Sequence, residues 1–133
     1  MTDQEARDFL SRVFQSLFDP SVTAEEVGAF FAPGYVQVAD GKVIDRAGFI
    51  DHVRVLKNTL RSGSVSLEKV VASGSTVASL HVATGRKRSG ESVQMKVHAF
   101  FEIENGLIRR TEELTHMVMG RAEDRDLGSR MPA

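Results

Sequence analysis

The stretch "FFEIENGLIRRTEELTHM", Phe100–Met117, decides the fold. It reads as a strand, a turn at Asn105-Gly106 and a second strand, and the second strand carries two adjacent carboxylates, Glu112 and Glu113. Successive side chains of a strand point to opposite faces, so one of the two glutamates must share the face of the apolar residues on the preceding strand. The loop decides which. A three-residue loop with Gly106 in the left-handed conformation sets Val97 opposite Glu113 and Ala99 opposite Thr111, whereas a two-residue Asn-Gly loop brings in Glu112.

Working upstream, the period stays at two back to Gly63. A two-residue loop at Ser73-Gly74 sets Leu67 opposite Leu80 and Val65 opposite Val82. A second at Ser89-Gly90 sets Val82 opposite Val97, Leu80 opposite Ala99 and Ala78 opposite Phe101. Both turns agree on one apolar face, formed by Val65, Leu67, Ala78, Leu80, Val82 and the odd-numbered residues from Met95 to Ile103. Glu68, Ser79, His81, Lys96, His98 and Glu102 fall on the other. Such one-sided burial is expected of an antiparallel sheet with helices against a single face.

Before Gly63 the period is helical. "TDQEARDFLSRVFQSLFDP" places Phe9, Leu10, Val13, Phe14 and Leu17 on one side, with Thr2 and Glu5 as a capping box and Asp19-Pro20 as the stop. "TAEEVGAFFAPG" repeats the device in a short second helix: Thr23 and Glu26 form the box, Val27, Phe30 and Phe31 the stripe, and Pro33-Gly34 the terminator. "YVQVADGKVID" then reads as a strand, a turn at Asp40-Gly41 and an extended piece ending at Asp45, a cap for a third helix bearing Phe49, Val53, Leu56 and Leu60. The class is α+β, with helices first and a meander of long strands after. Residues 1–120 form a single domain on this reading. The polar tail, residues 121–133, is expected to be loosely ordered or to lie on a partner subunit.

The chain has 133 residues and is 41% hydrophobic, enough for one core. Lys plus Arg is 17 against 18 for Asp plus Glu, without a basic cluster, which argues against nucleic acid. No apolar run approaches the roughly 20 residues that span a bilayer, and "MTDQEARDF" lacks a signal-peptide core, so the expectation is a cytoplasmic protein with no membrane association. There are no cysteines, hence no thiolate metal site or Cys nucleophile. The absence of a phosphate loop, dinucleotide glycine fingerprint or nucleophile elbow disfavours ATP, nicotinamide and Ser-hydrolase chemistry, and no cofactor is expected.

The order of elements, with "YVQVADGK", the "FFEIENGLI" hairpin, "EELT" and the closing "DRDLGS", resembles the SnoaL-like branch of the nuclear transport factor 2-like superfamily. The resemblance implies a cone in which three N-terminal helices pack in the concave face of a curved, mainly antiparallel sheet. It also implies an internal ligand pocket and a homodimer through the outer sheet face. Its members include polyketide cyclases, steroid isomerases, dehydratases and binding modules, so the fold alone does not fix the activity. This chain departs from them: Val38 stands where related sequences commonly carry His, Ala39 near the isomerases' proton-shuttling Asp, and Ala99 near their oxyanion acid.

The resemblance favours Glu113 as the inward carboxylate, beside Thr111 and Thr115 and among Val97, Ala99 and Phe101. Such surroundings make a carboxyl harder to ionise and suit it to general acid or base work. A purely structural Glu113, accepting hydrogen bonds from Thr115, Tyr35 or water, is the alternative. Tyr35 and Gln37 share a face and can present a phenol and an amide to a developing enolate oxygen. His52, beside the apolar stripe of the third helix, and Asp40, at its turn, are further candidates for ligand contact. Arg109 shares the parity of Glu113 but stands roughly 13 Å along the strand, which places it at the mouth. His81, His98 and Glu112 form a weak candidate metal set on the outer face. Two readings follow: a cofactor-free isomerase, dehydratase or cyclase acting on a small apolar or carbonyl-containing ligand, and a non-catalytic binding or dimerisation module.

Overall fold

A computed structural model describes residues 1–132. Helix α1 (Asp3–Phe18) starts at Thr2, whose hydroxyl accepts from the Glu5 amide while the Glu5 carboxylate accepts from the Thr2 amide. Helix α2 (Ala24–Gly28) begins with the same reciprocal pair at Thr23 and Glu26. Each box satisfies amides that a helix start leaves without partners. Helix α2 ends before Phe30 and Phe31, which were expected on its stripe. Phe31 instead opens strand β1 (Phe31–Ala39), whose pairing is irregular between Phe31 and Val36. Pro33 and Gly34 fall in that irregular part, where a residue without an N–H donor is tolerated.

Asp40 and Gly41 both take positive φ, 51° and 84°, and turn β1 into β2 (Lys42–Asp45) as expected of Asp-Gly. The Asp45 carboxylate then accepts from the Gly48 amide at 2.8 Å and starts α3 (Arg46–Thr59). Four long strands follow, β3 (Leu60–Ser73), β4 (Thr76–Lys87), β5 (Ser92–Glu104) and β6 (Leu107–Met119), in the sheet order β2-β1-β6-β5-β4-β3. Only β1 and β6 run parallel, so the sheet is mainly antiparallel and the α+β class holds. Among the described residues no helix is long and apolar enough to cross a membrane.

The hairpin registers differ from the sequence expectation at each of the three turns. The β3–β4 turn is Gly74-Ser75, and a slip between Leu67 and Lys69 sets Leu67 opposite His81 and Val65 opposite Ala83. The β4–β5 connection is longer than two residues: the Lys87 amide donates to the Glu91 carbonyl at 2.7 Å, and His81 pairs with Val97. Val77, Ser79 and His81 are therefore buried on the concave face, and Ala78, Leu80 and Val82 point the other way. The two one-residue errors have opposite sense and cancel. Strands β3 and β5 keep their expected inward residues, and β4 alone is inverted. His81 and His98 consequently lie on opposite faces of the sheet, so the proposed metal set does not exist. Among the described residues no group of three His, Cys, Asp or Glu side chains suits a metal.

Between β5 and β6 the turn is a two-residue Asn105-Gly106, not the three-residue loop favoured above, with φ of 54° and 75°. An extra residue, Arg109, then shifts the pairing, so that Ala99 faces Glu113, Phe101 faces Thr111 and Val97 faces Thr115. The expected parity is restored by a bulge. Arg109, extruded there, is 57% exposed and pairs with Glu104 at 3.3 Å instead of standing at the mouth of the cone.

Helix α1 finishes the edge strand β3. Arg7 donates to the Leu67 carbonyl at 2.6 Å, at the slip, and the Asp3 carboxylate accepts from the Ala72 amide at 2.8 Å. The tail is not loose. A short 3-10 turn, Ala122–Asp124, leads into a segment that buries Asp124, Leu127 and Ser129. The Asp124 carboxylate accepts from Lys87 at 3.2 Å and lies 3.5 Å from Arg130, which also binds Asp126 at 2.6 Å. Burying a carboxylate requires such partners, and a composition that looks unstructured supplied them.

Helix α1 has no basic residue in its last turn. Lys57 of α3 takes that place, donating to the carbonyls of Ser16, Leu17 and Asp19 at 3.0, 3.1 and 3.0 Å. Lys57→Met removes donor and charge together and should lower stability by about 1–2 kcal/mol in urea unfolding. An unchanged midpoint would show that water caps α1 equally well.

Candidate functional site

Between α1, α3 and the concave sheet lies a cavity of about 150 Å³. Most of its wall is apolar, with Phe14, Phe31, Phe49, Val97, Phe101 and Leu127 prominent. The polar exceptions are Tyr35, Gln37, His52, His81, Thr84, Thr111, Glu113 and Thr115.

Glu113 sits at mid-sheet. Its neighbour on β1 is Ala39 and its neighbour on β5 is Ala99, both buried. Two methyl groups thus leave the carboxylate room without offering a partner. No side chain or backbone group among the described residues hydrogen-bonds it. Burial, and secondarily the charge of Asp40, pushes its pKa up from 4.5 to about 7. Asp40 itself does not line the cavity. Its carboxylate accepts from the Thr115 amide at 2.8 Å and from the Thr115 hydroxyl, tying the β1–β2 turn to β6.

Next to Glu113 on the wall, the Tyr35 hydroxyl donates to Thr111 Oγ1 at 2.8 Å and stands 3.4 Å from Gln37 Oε1. Burial above all, and also the nearby Glu113, raises the phenol's pKa, so Tyr35 keeps its proton. The amide nitrogen of Gln37 is buried and has no partner. An orphaned donor in a cavity wall is a seat for a ligand's acceptor, because leaving it empty costs about 1–3 kcal/mol.

Two imidazoles complete the lining. His52 Nδ1 lies 2.7 Å from the Arg130 carbonyl. A carbonyl only accepts, so Nδ1 carries the hydrogen and Nε2 holds a lone pair. Burial lowers the pKa of His52, keeping it neutral. His81 Nδ1 lies 2.9 Å from Ser79 Oγ, and its ring packs 4.8 Å from that of Phe14. Burial first, and the charge of His98 second, pushes its pKa down to about 4.

Of the candidates named from sequence, the structure gathers Glu113, Tyr35, Gln37, His52, Thr111, Thr115, Val97 and Phe101 around one space, with Ala99 behind Glu113. Asp40 and Arg109 lie outside it. His81, Leu127 and Gly128 line it and were missed. His81 was lost with the inversion of β4; the six-residue polar run Arg86–Glu91, too long for a two-residue loop, was the available signal. Leu127-Gly128 is the one apolar-plus-glycine step in the tail. A Cβ on Gly128 would come within 3.2 Å of the Thr115 methyl and 3.7 Å of Glu113 Oε1, so glycine lets the tail close this side of the cavity.

A SnoaL-like domain model matches residues 14–111. An uncharacterized protein of Schizosaccharomyces pombe is 32% identical over 126 residues, covering 95% of this chain and 97% of its own. Among solved structures, IdmH, a putative polyketide cyclase from Streptomyces antibioticus, superposes with a TM-score of 0.69 at 16% identity, over 82% of this chain and 90% of its own. A Catenulispora acidiphila protein with a ketosteroid isomerase-like fold, solved with trimethylamine, gives 0.69 at 12% identity, over 93% of each chain. At such identities these structures speak for the fold alone.

The raised pKa of Glu113 makes stability depend on pH. Between 4.5 and about 7 the folded chain holds a proton that the unfolded chain releases, so this residue's contribution falls as pH rises through that window. Glu113→Gln does not titrate. Its stability relative to the wild type should rise by about 2–3 kcal/mol from pH 4.5 to pH 8, measured by paired urea titrations. A constant difference would mean that the carboxylate is solvated.

Proposed function

The chain belongs to the SnoaL-like family, and from that premise we propose that its cavity binds a compact carbonyl compound and moves a proton at the carbon beside the carbonyl, without a cofactor. The observation that carries this reading is a carboxyl of raised proton affinity, unpartnered in an apolar wall, with an unpartnered amide donor nearby. In its ionised form Glu113 takes the α-proton. The C–H electron pair becomes the enolate C=C bond and the carbonyl π pair moves onto oxygen, where the Gln37 amide donates to the developing charge. Return of the proton to a different carbon is isomerisation, loss of a β-hydroxyl is dehydration, and attack on a second carbonyl is cyclisation. Glu113 acts as base and then as acid. Tyr35, held neutral and bonded to Thr111, fixes the Gln37 side of the wall. The description of IdmH as a putative polyketide cyclase is in keeping with this class of chemistry.

The second reading, a non-catalytic binding module, draws support from Ala39 and Ala99, which leave the cavity with one carboxylate. On either reading, Phe100 and Leu114, 61% and 68% exposed on the outer sheet face, favour a homodimer through that face.

Cyclohexanone in D2O separates the two. Under the enzymatic reading the protein accelerates exchange of the ring's α-hydrogens, followed by proton NMR, with a rate that climbs through about pH 7 as Glu113 ionises. Glu113→Gln should reduce that acceleration by about 100-fold or more. Exchange at the buffer rate with wild-type protein, or undiminished exchange with the variant, leaves the binding module standing.

A further inference from the structure

The polar groups of the cavity fall at two poles. Glu113 and Thr115 on β6, with Thr111 on the same strand and Gln37 opposite it on β1, make one. The other is His81 on β4, backed by Ser79. In the sheet, one row runs Glu113, Ala99, Ser79 and the next runs Thr115, Val97, His81. Between the poles β5 offers only a methyl and an isopropyl group. The two poles are two strand spacings apart, roughly 9.5 Å across the sheet. On the helix side the span is covered by Phe14, which packs against both His81 and Phe101.

His81 has a protein partner at one ring nitrogen only. It is 3% exposed, Nδ1 is taken by Ser79, and Nε2 has no protein partner among the described residues. Nε2 is not sealed in the wall, and His81 lines the cavity, so this nitrogen is free to be met by water or by a ligand's polar group. The serine hydroxyl can donate or accept, so Nε2 can present either a hydrogen or a lone pair. A hydroxyl is the ligand group that matches both forms.

We infer that His81 determines specificity, and that the occupant is a single-ring ketone bearing a hydroxyl on the side of the ring opposite the carbonyl. This rests on the carbonyl-directed reading above, which orients the ketone toward Glu113 and Gln37. The volume agrees, because about 150 Å³ is the size of an engineered cavity that accepts benzene. The ring lies against Val97, Ala99 and Phe101, and its hydroxyl meets His81 Nε2.

The test measures Kd by ligand-observed NMR for cyclohexanone, 4-hydroxycyclohexanone and the fused bicycle 2-decalone. Wild-type protein should prefer the hydroxyketone to cyclohexanone by about tenfold, the effect of one good hydrogen bond, and should bind 2-decalone more weakly than either. His81→Leu should erase the preference. His81→Gln, which keeps a donor and an acceptor, should retain part of it. Glu113→Gln should lose proton exchange yet keep the preference, so failure of the base and failure of this assignment are separable. Equal affinities in wild-type protein, no binding of either ketone, tight binding of 2-decalone, or a preference that survives His81→Leu would each overturn the inference. The wild-type comparison stands even if a variant does not fold.

Discussion

Everything that distinguishes this cone follows from the register of β6 against β5. A two-residue turn alone would put Glu112 inside and Glu113 in water. The extra residue at Arg109 moves the strand by one step, and a strand has only two faces, so that step exchanges every side chain beyond it. Thr111, Glu113 and Thr115 enter together. Arg110 and Glu112 pair with each other outside, at 2.8 Å. A local irregularity without hydrophobic content of its own therefore sets the chemistry of the interior.

Once inside, the carboxylate is defined by what it lacks. Ala39 and Ala99 flank it, Asp40 raises its proton affinity while being bound to Thr115, and the tail passes over it at Gly128. Lys87 and Arg130, the basic residues packed against the tail, are engaged by Asp124 and Asp126. Burial and Asp40 are the influences on Glu113, with no basic group among them; a cation beside it would hold the carboxyl ionised and make it a weaker base.

Much of the fold was legible because local chemistry overdetermines it. Two capping boxes fix the starts of α1 and α2, and Asp40-Gly41 meets a turn that needs positive φ at both positions. The face of β4 was not legible. "VASLHVAT" carries apolar residues on both parities, so pattern alone cannot choose, and turn length was left to decide. That choice failed twice with cancelling sign, which returned β3 and β5 correctly and hid His81. The position of Glu113 was reached through the wrong loop, since a bulge leaves no mark in composition. The tail was unreadable for a different reason: it docks through one leucine and a buried acid, and average polarity detects neither.

The doublet Glu112-Glu113 has one more implication. Straightening of the bulge, with Arg109 kept and drawn into the ladder, would slide β6 by one position, and an acidic group would still arrive in the hollow, now from Glu112. Its companions would change to Arg110 and Leu114 in place of the two threonines. A guanidinium would then neutralise the newcomer, and a leucine could no longer hold the Asp40 hairpin. The repeated letter protects the presence of an acid against a one-residue slip of register, but not its usefulness, which depends on the hydroxyls that travel with it.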